Sequence, residues 1–290
     1  MNKNCLFIFT IFGLLTNFQA YAIKEQFEES YAYNHSRPIQ AVNYLQQNIS
    51  ISRALYINAL LEKVMDVTKD EYGPYTINTI KSDLVPRRKE IEMLKGDKIN
   101  LMWSTEDNKT VQKLIKVPFH TMKGILGNRV LLIRKERQSE FNKITNLEQL
   151  QQLKPGQVKH WVDTLIYTKN NFNVVTAQKM TSLFPMLENS RFDFLPLGAS
   201  EVNQEYSHVN KKHPSLAIEK DLLIKYALHV LLMVSPTEPT LAQRLEKGLL
   251  TIEKNGEFDR IFNKYIQPDL DSIQIQNRKV IQLKNPTYDK

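Results

Sequence analysis

From Tyr56 the apolar positions follow a helical period: Tyr56, Leu60, Leu61, Val64 and Met65 fall on one stripe. Tyr72-Gly73-Pro74-Tyr75 ends that pattern with turn formers. Residues 75–80 (YTINTI) then alternate and are rich in β-formers, which predicts a strand. Pro86 opens a charged run that reaches Leu94, with Gly96 just beyond. Proline in the first turn and glycine past the end mark a helix. Further strands are predicted at 99–103 (INLMW) and 130–133 (VLLI). Residues 23–52 are polar and carry no readable period.

A second set of elements follows residue 133. A short helix at 146–153 has Asn146 as its cap and Gln149 three residues on. Pro155-Gly156 turns the chain into a strand at 158–161, and a helix begins at about 163. A strand at 173–176, a helix at 182–188 containing Pro185, a strand at 192–195 and a helix from 202 complete the set. Residues 226–234 read as one long apolar strand. The helix after it carries Leu241, Leu245, Leu249 and Ile252 on one face and stops at Asn255-Gly256. A last helix presents Phe258, Ile261, Phe262 and Tyr265, and the tail from 268 is polar. Strands alternating with helices predict an α/β fold with parallel sheets.

The segment from 226 is too small to be a domain and must pack on an earlier one. The predicted body is therefore two-lobed: residues 23–133 start lobe 1, residues 134–225 form lobe 2, and residues 226–290 complete lobe 1 and end in a tail. Lobes hinged around a cleft suit capture of a ligand by closure.

The start of the chain has another character. Lys3 precedes an apolar stretch at 6–15 (LFIFTIFGLL), and Ala20-Tyr21-Ala22 follows. Such a stretch spans about 15 Å as a helix, half of a bilayer core of about 30 Å. It reads as a cleavable signal peptide, residues 1–22, and predicts a periplasmic protein. The one cysteine, Cys5, lies inside it, so the mature chain has no disulfide, thiol nucleophile or cysteine metal site. Against 31 acidic residues stand 39 basic ones, a formal net charge of +8. The charges are interspersed, which describes a solvated surface with a mild preference for anions rather than a nucleic-acid face. The histidines at 35, 120, 160, 208, 213 and 229 show no metal-binding spacing, and no phosphate-cradling glycine loop or Gly-x-Ser-x-Gly elbow is present. No cofactor and no catalysis are expected.

Several stretches resemble the extracellular solute-binding protein family 3. Residues 241–249 (LAQRLEKGL) and 255–265 (NGEFDRIFNKY) are similar to that family's closing helices. Residues 95–100 (KGDKIN) and 191–194 (RFDF) resemble its strand starts in the first and second lobes. Residues 123–129 (KGILGNR) and 161–164 (WVDT) are similar to a stand-alone periplasmic branch, and the order holds over about 54–266. The resemblance implies a type II periplasmic-binding-protein-like fold with a ligand cleft at a hinge. It also implies a small-molecule ligand, often an amino acid, a membrane permease or sensor as partner, and a monomer. Two departures matter. After Thr105-Glu106 the family's carboxylate-clamping arginine is absent, and Lys109 is the nearest cation; lysine lacks the planar fork for a carboxylate. After Asp193 the family's acidic ligand-binding group is absent, and Glu201 is displaced from its place. An amino acid is therefore a weaker expectation than a small polar or anionic solute. A regulatory or interaction protein of the cell envelope that kept the fold is the alternative.

The candidate ligand-binding residues each have a plainer alternative. Trp103 and Trp161 end predicted strands, one per lobe, where an α/β sheet meets its crevice; otherwise they pack in a core. Asp163 and Thr164 start a helix whose free N–H groups suit an anion; otherwise Asp163 is only a cap. Tyr75 and Thr105 line the first lobe's side or belong to its surface or core. Arg87 follows Pro86 and clamps a carboxylate or is solvated. Glu201 accepts a ligand hydrogen bond or begins its helix.

Overall fold

The computed structural model describes residues 38–46, 50–82, 84–106 and 111–288, together with Lys24. The predicted signal peptide, residues 1–22, and Lys109 lie outside the described residues.

The first sheet has the order β2-β1-β3-β11-β4. Its strands are β1 (Gln40–Gln46), β2 (Tyr75–Lys81), β3 (Leu101–Thr105), β4 (Ile115–Val117) and β11 (Val230–Val234). Three helices cover one face: α1 (Ile51–Val67), α6 (Pro239–Lys254) and α7 (Glu257–Tyr265). Side chains alternate between faces along each strand. Tyr44, Leu101, Trp103, Leu232 and Val234 point to the core under α1, α6 and α7. Leu45, Met102, Leu231 and Met233 join a separate cluster with Met93 of α2 (Pro86–Lys95). The apolar stripe predicted from Tyr56 to Met65 is buried along its whole length in α1.

The second sheet has the order β12-β10-β5-β8, with β9 beside β5. Its strands are β5 (Asn128–Arg134), β8 (Phe194–Gly198), β9 (Leu216–Ile218), β10 (Leu222–Lys225) and β12 (Lys279–Gln282). A small parallel pair, β6 (Gly156–Val158) and β7 (Val175–Ala177), leads into β8 through the bridge Pro155–Phe194. This lobe carries α3 (Val162–Lys169), α4 (Met180–Glu188) and α5 (Val202–Val209). Val130 and Leu132 of β5 face one cluster, and Leu131 and Ile133 face the other.

The lobe boundaries differ from the sequence reading in three places. Strand β5 pairs with β8, β9 and β10, so lobe 2 begins at Asn128 rather than 134. The apolar run 226–234 is not one strand: β10 ends in the second sheet at Lys225, and β11 starts in the first at Val230. Apart from His229 the run is apolar, and Tyr226 and Leu228 in the connection are as buried as β11, so hydropathy does not show the change of sheet. The polar tail does not stay with lobe 1. Beyond α8 (Gln267–Ser272) it returns to lobe 2, where β12 lies parallel to β10. Arg278, buried, fastens it there by donating to the carbonyls of Ile273, Glu219 and Leu222. The sheets are also mixed rather than parallel, because β11 runs against β3, and β5 against its neighbours.

Strand β1 is a further finding. Its polar residues, which hide it in the sequence, have partners: Asn78 Nδ2 donates to Asn43 Oδ1 at 2.9 Å, and Asn100 Nδ2 donates to the Ala41 carbonyl at 2.8 Å.

Two crossovers meet face to face where the lobes join. The Tyr226 N–H donates to the Gly127 carbonyl at 3.2 Å. A Cβ on Gly127 would stand 1.8 Å from the Tyr226 carbonyl oxygen. Gly127→Ala is therefore expected to force the crossovers apart and lower stability by about 1–3 kcal/mol. Urea denaturation checks this, and an unchanged midpoint would contradict it.

Candidate functional site

A cavity of about 1140 Å³ lies between the lobes. Strands β1, β2 and β3 run parallel, and the carboxyl-terminal halves of β1 and β3 bring Tyr44, Trp103 and Thr105 to its wall. From lobe 1 it is lined by Tyr44, Ser50, Arg53, Lys89, Trp103 and Thr105. From lobe 2 come Arg129, His160, Trp161, Asp163, Glu201 and Glu205. Ser50 caps α1 by accepting from the Arg53 N–H at 3.3 Å, which sets that helix start at the cavity wall.

Among the sequence candidates, the structure brings Trp103, Thr105, Trp161, Asp163 and Glu201 together here. Trp103 is 6% exposed, and its ring lies 6.5 Å from that of Tyr56. It therefore combines core packing with a place in the cavity wall. Trp161 is not at the end of a strand; β6 stops at Val158, and Trp161 precedes the first residue of α3.

Tyr75, Arg87 and Thr164 are not in the wall. Tyr75 begins β2, at the opposite end of the strand from the crevice. Its hydroxyl donates to Asp66 Oδ1 at 2.5 Å, and its ring stacks beside Arg244. Arg87 is exposed on α2, whereas Lys89 reaches the cavity. Two residues turn a helix by about 200°, so these side chains leave on opposite sides. Thr164 turns inward, and its hydroxyl donates to the Val158 carbonyl at 2.9 Å.

Two ion pairs organise the charge. Arg129 Nε and Nη2 both reach Asp163 Oδ1 at 2.7 Å, and Arg129 Nη1 donates to the Leu126 carbonyl. The Tyr226 hydroxyl donates to the same carboxylate oxygen. Burial pushes the Asp163 carboxyl up, but Arg129 and the Tyr226 hydroxyl outweigh it and hold the group below the usual carboxylate range. Asp163 therefore does not cap the helix, whose N-cap is Trp161; it is the counter-ion of a buried arginine. The second pair spans the cleft. Arg53 Nη2 on α1 meets Glu201 Oε2 at the start of α5 at 2.5 Å. Beside it, the Ile51 N–H donates to Gln204 Oε1 at 2.8 Å.

Lys89 and Glu205 line the cavity without ion-pair partners among the described residues. Burial lowers the affinity of Lys89 for its proton; burial, and then the neighbouring Glu201, raises that of Glu205. The sequence reading missed Arg53, Lys89, Arg129, His160 and Glu205. Arg53 stands at the edge of the polar stretch where no element is legible, and Arg129 begins a strand that reads as VLLI alone. Among the described residues, no group of three histidine, cysteine or acidic side chains is arranged to hold a metal.

The fold is that of the two-lobed periplasmic binding proteins. An ancestral arginine-binding protein bound to glutamine superposes with a TM-score of 0.52 at 12% identity, covering 79% of this chain and 99% of that one. An arginine-specific periplasmic binding protein of Salmonella typhimurium gives 0.50 at 12%, covering 78% and 99%. A histidine kinase sensor domain similar to periplasmic binding proteins gives 0.50 at 14%, covering 80% and 97%. No protein-family model matches the sequence, and neither does any curated protein.

Proposed function

We propose that this protein captures a small polar or anionic solute between its lobes by hinge closure, for transport or sensing, and catalyses no reaction. The observation that carries this reading is the cavity itself. It has one tryptophan from each lobe and charged groups on both walls, the apolar-and-polar mixture of a small-molecule site. The cavity's two close ion pairs hold each other rather than a nucleophile. With the predicted signal peptide, the reading places the protein in the periplasm as a monomer serving a membrane permease or sensor. No helix among the described residues is long and apolar enough to cross a membrane.

A thermal-shift screen of amino acids, organic acids and oligosaccharides tests it. A ligand at a hundred times its Kd adds about 2.7 kcal/mol to the native state, a shift of several degrees. The hit should lose its shift in Trp161→Ala. A broad screen without a hit would remove the reading. One observation favours a second: the Arg53–Glu201 pair joins the two lobes directly. A regulatory envelope protein would use the closed body as a docking module, and a pulldown should then recover a sensor rather than a permease.

A further inference from the structure

The motif that would bring a carboxylate-clamping arginine to the cleft lacks it, yet the cavity wall of lobe 1 contains an arginine from elsewhere. Arg53 rises from the first turn of α1 with its side chain 13% exposed. Among the described residues only its Nη2 is engaged, by Glu201 of the opposite lobe at 2.5 Å. Its Nε is buried without an acceptor. A buried guanidinium N–H left unmatched is costly, and an arginine offers a planar fork fitted to a carboxylate or phosphate. Lys89, on the same wall, carries a second cation with no counter-ion among the described residues. Arg129 is different in kind: Asp163 and the Leu126 carbonyl already occupy it. The facing wall presents Glu201 and the half-buried Glu205.

Resting on the solute-binding reading, we propose that Arg53 is the receptor for a carboxylate or phosphate group of the solute, and that Glu201 is its internal competitor. In the empty protein Glu201 supplies the anion from across the cleft and draws the lobes together. An incoming acidic group takes the Nε edge, displaces Glu201 and adds Lys89 as a second contact. Affinity is then set by the difference between two anions on one arginine, which makes Glu201 a brake on weak acidic ligands.

The sign of two substitutions tests this. Binding of succinate, citrate, glucose 6-phosphate and inorganic phosphate is measured by calorimetry at constant ionic strength, with trehalose as an uncharged probe. Glu201→Gln removes the competitor and should tighten an anionic probe about tenfold. Arg53→Gln should weaken the same probe at least tenfold, and Arg53→Lys should restore part of the loss. Phosphate-bearing and carboxylate probes separate the two sources of the anion. A merely structural pair would make both substitutions weaken binding together, and that outcome overturns the proposal. So does an anion that binds the wild type with unchanged affinity in Arg53→Gln. Binding of trehalose but of none of the anionic probes overturns it while leaving the solute-binding reading intact. No binding by any probe, to wild type or variants, counts against both. Thermal unfolding of each variant confirms that it is folded.

Discussion

Arg244→Met is expected to destabilise the protein by about 3–5 kcal/mol, read as a lowered urea midpoint with an unchanged slope. Arg244 lies on α6, is fully buried, and meets no carboxylate among the described residues. Its charge is instead held by oxygen dipoles. Nη2 donates to the carbonyls of Met65 at 2.9 Å and Gly73 at 3.0 Å, Nε to Thr68 Oγ1 at 2.9 Å, and Nη1 to Gln40 Oε1 at 3.2 Å. Met65 is in the last turn of α1, where carbonyls lack partners within the helix and the dipole is negative. Tyr72 and Tyr75 lie beside the guanidinium with ring centres 5.8 and 5.4 Å away. Methionine fills similar space but removes four hydrogen bonds from a charged donor, each worth up to about 1.5–3 kcal/mol, and leaves the Gly73 carbonyl without this donor, while the Met65 carbonyl keeps Thr68 Oγ1. Arg244→Lys keeps the charge and three donors, so it should fall between. A methionine variant as stable as the wild type would mean that the fork is dispensable.

The second large effect is at the lobe junction. Asp163→Asn leaves Arg129 buried beside a neutral amide and should cost about 3–5 kcal/mol. Its pH signature separates it from Arg244. The folded Asp163 carboxyl titrates below its ordinary value of 3.8, because Arg129 and Tyr226 overcome the effect of burial. Stability from this group is therefore full above pH 3.8 and is lost as pH falls through the lower folded value. The wild type should lose stability on acidification in that window, and the asparagine variant should lose less. Parallel slopes for the two proteins would contradict the assignment. An arginine stays charged throughout, so Arg244→Met should shift the whole pH profile without changing its shape.

Much of the architecture is legible in the chain because burial is one-sided in helices. The α1 stripe, the α6 stripe and the Pro86–Gly96 frame of α2 all survive in the structure. What failed is instructive. Strand β1 hides because Asn43 looks like a loop residue until Asn78 and Asn100 supply its partners. The change of sheet within 226–234 leaves little mark beyond His229, since Tyr226 and Leu228 in the connection are as buried as β11. In the candidate site, strand-end logic found Trp103 and Thr105 but misplaced Tyr75, whose strand start faces away. Asp163 was weighed as a cap, because its partner Arg129 is 34 residues distant and only the fold joins them. Arg244 was legible as part of a motif, though not as the keystone between α1 and α6.

The returning tail has a consequence for how the chain is made. Lobe 1 lacks a central strand until Val230–Val234 has been synthesised, and lobe 2 lacks its edge strand until Lys279–Gln282 has followed. Domains commonly fold one after another as they leave the ribosome. Here the first sheet can close once Val234 has been made, whereas the second waits for Lys279–Gln282, so lobe 2 is completed after lobe 1 although most of it is made earlier. A chain that stays open this long remains a substrate for any machinery that requires it unfolded.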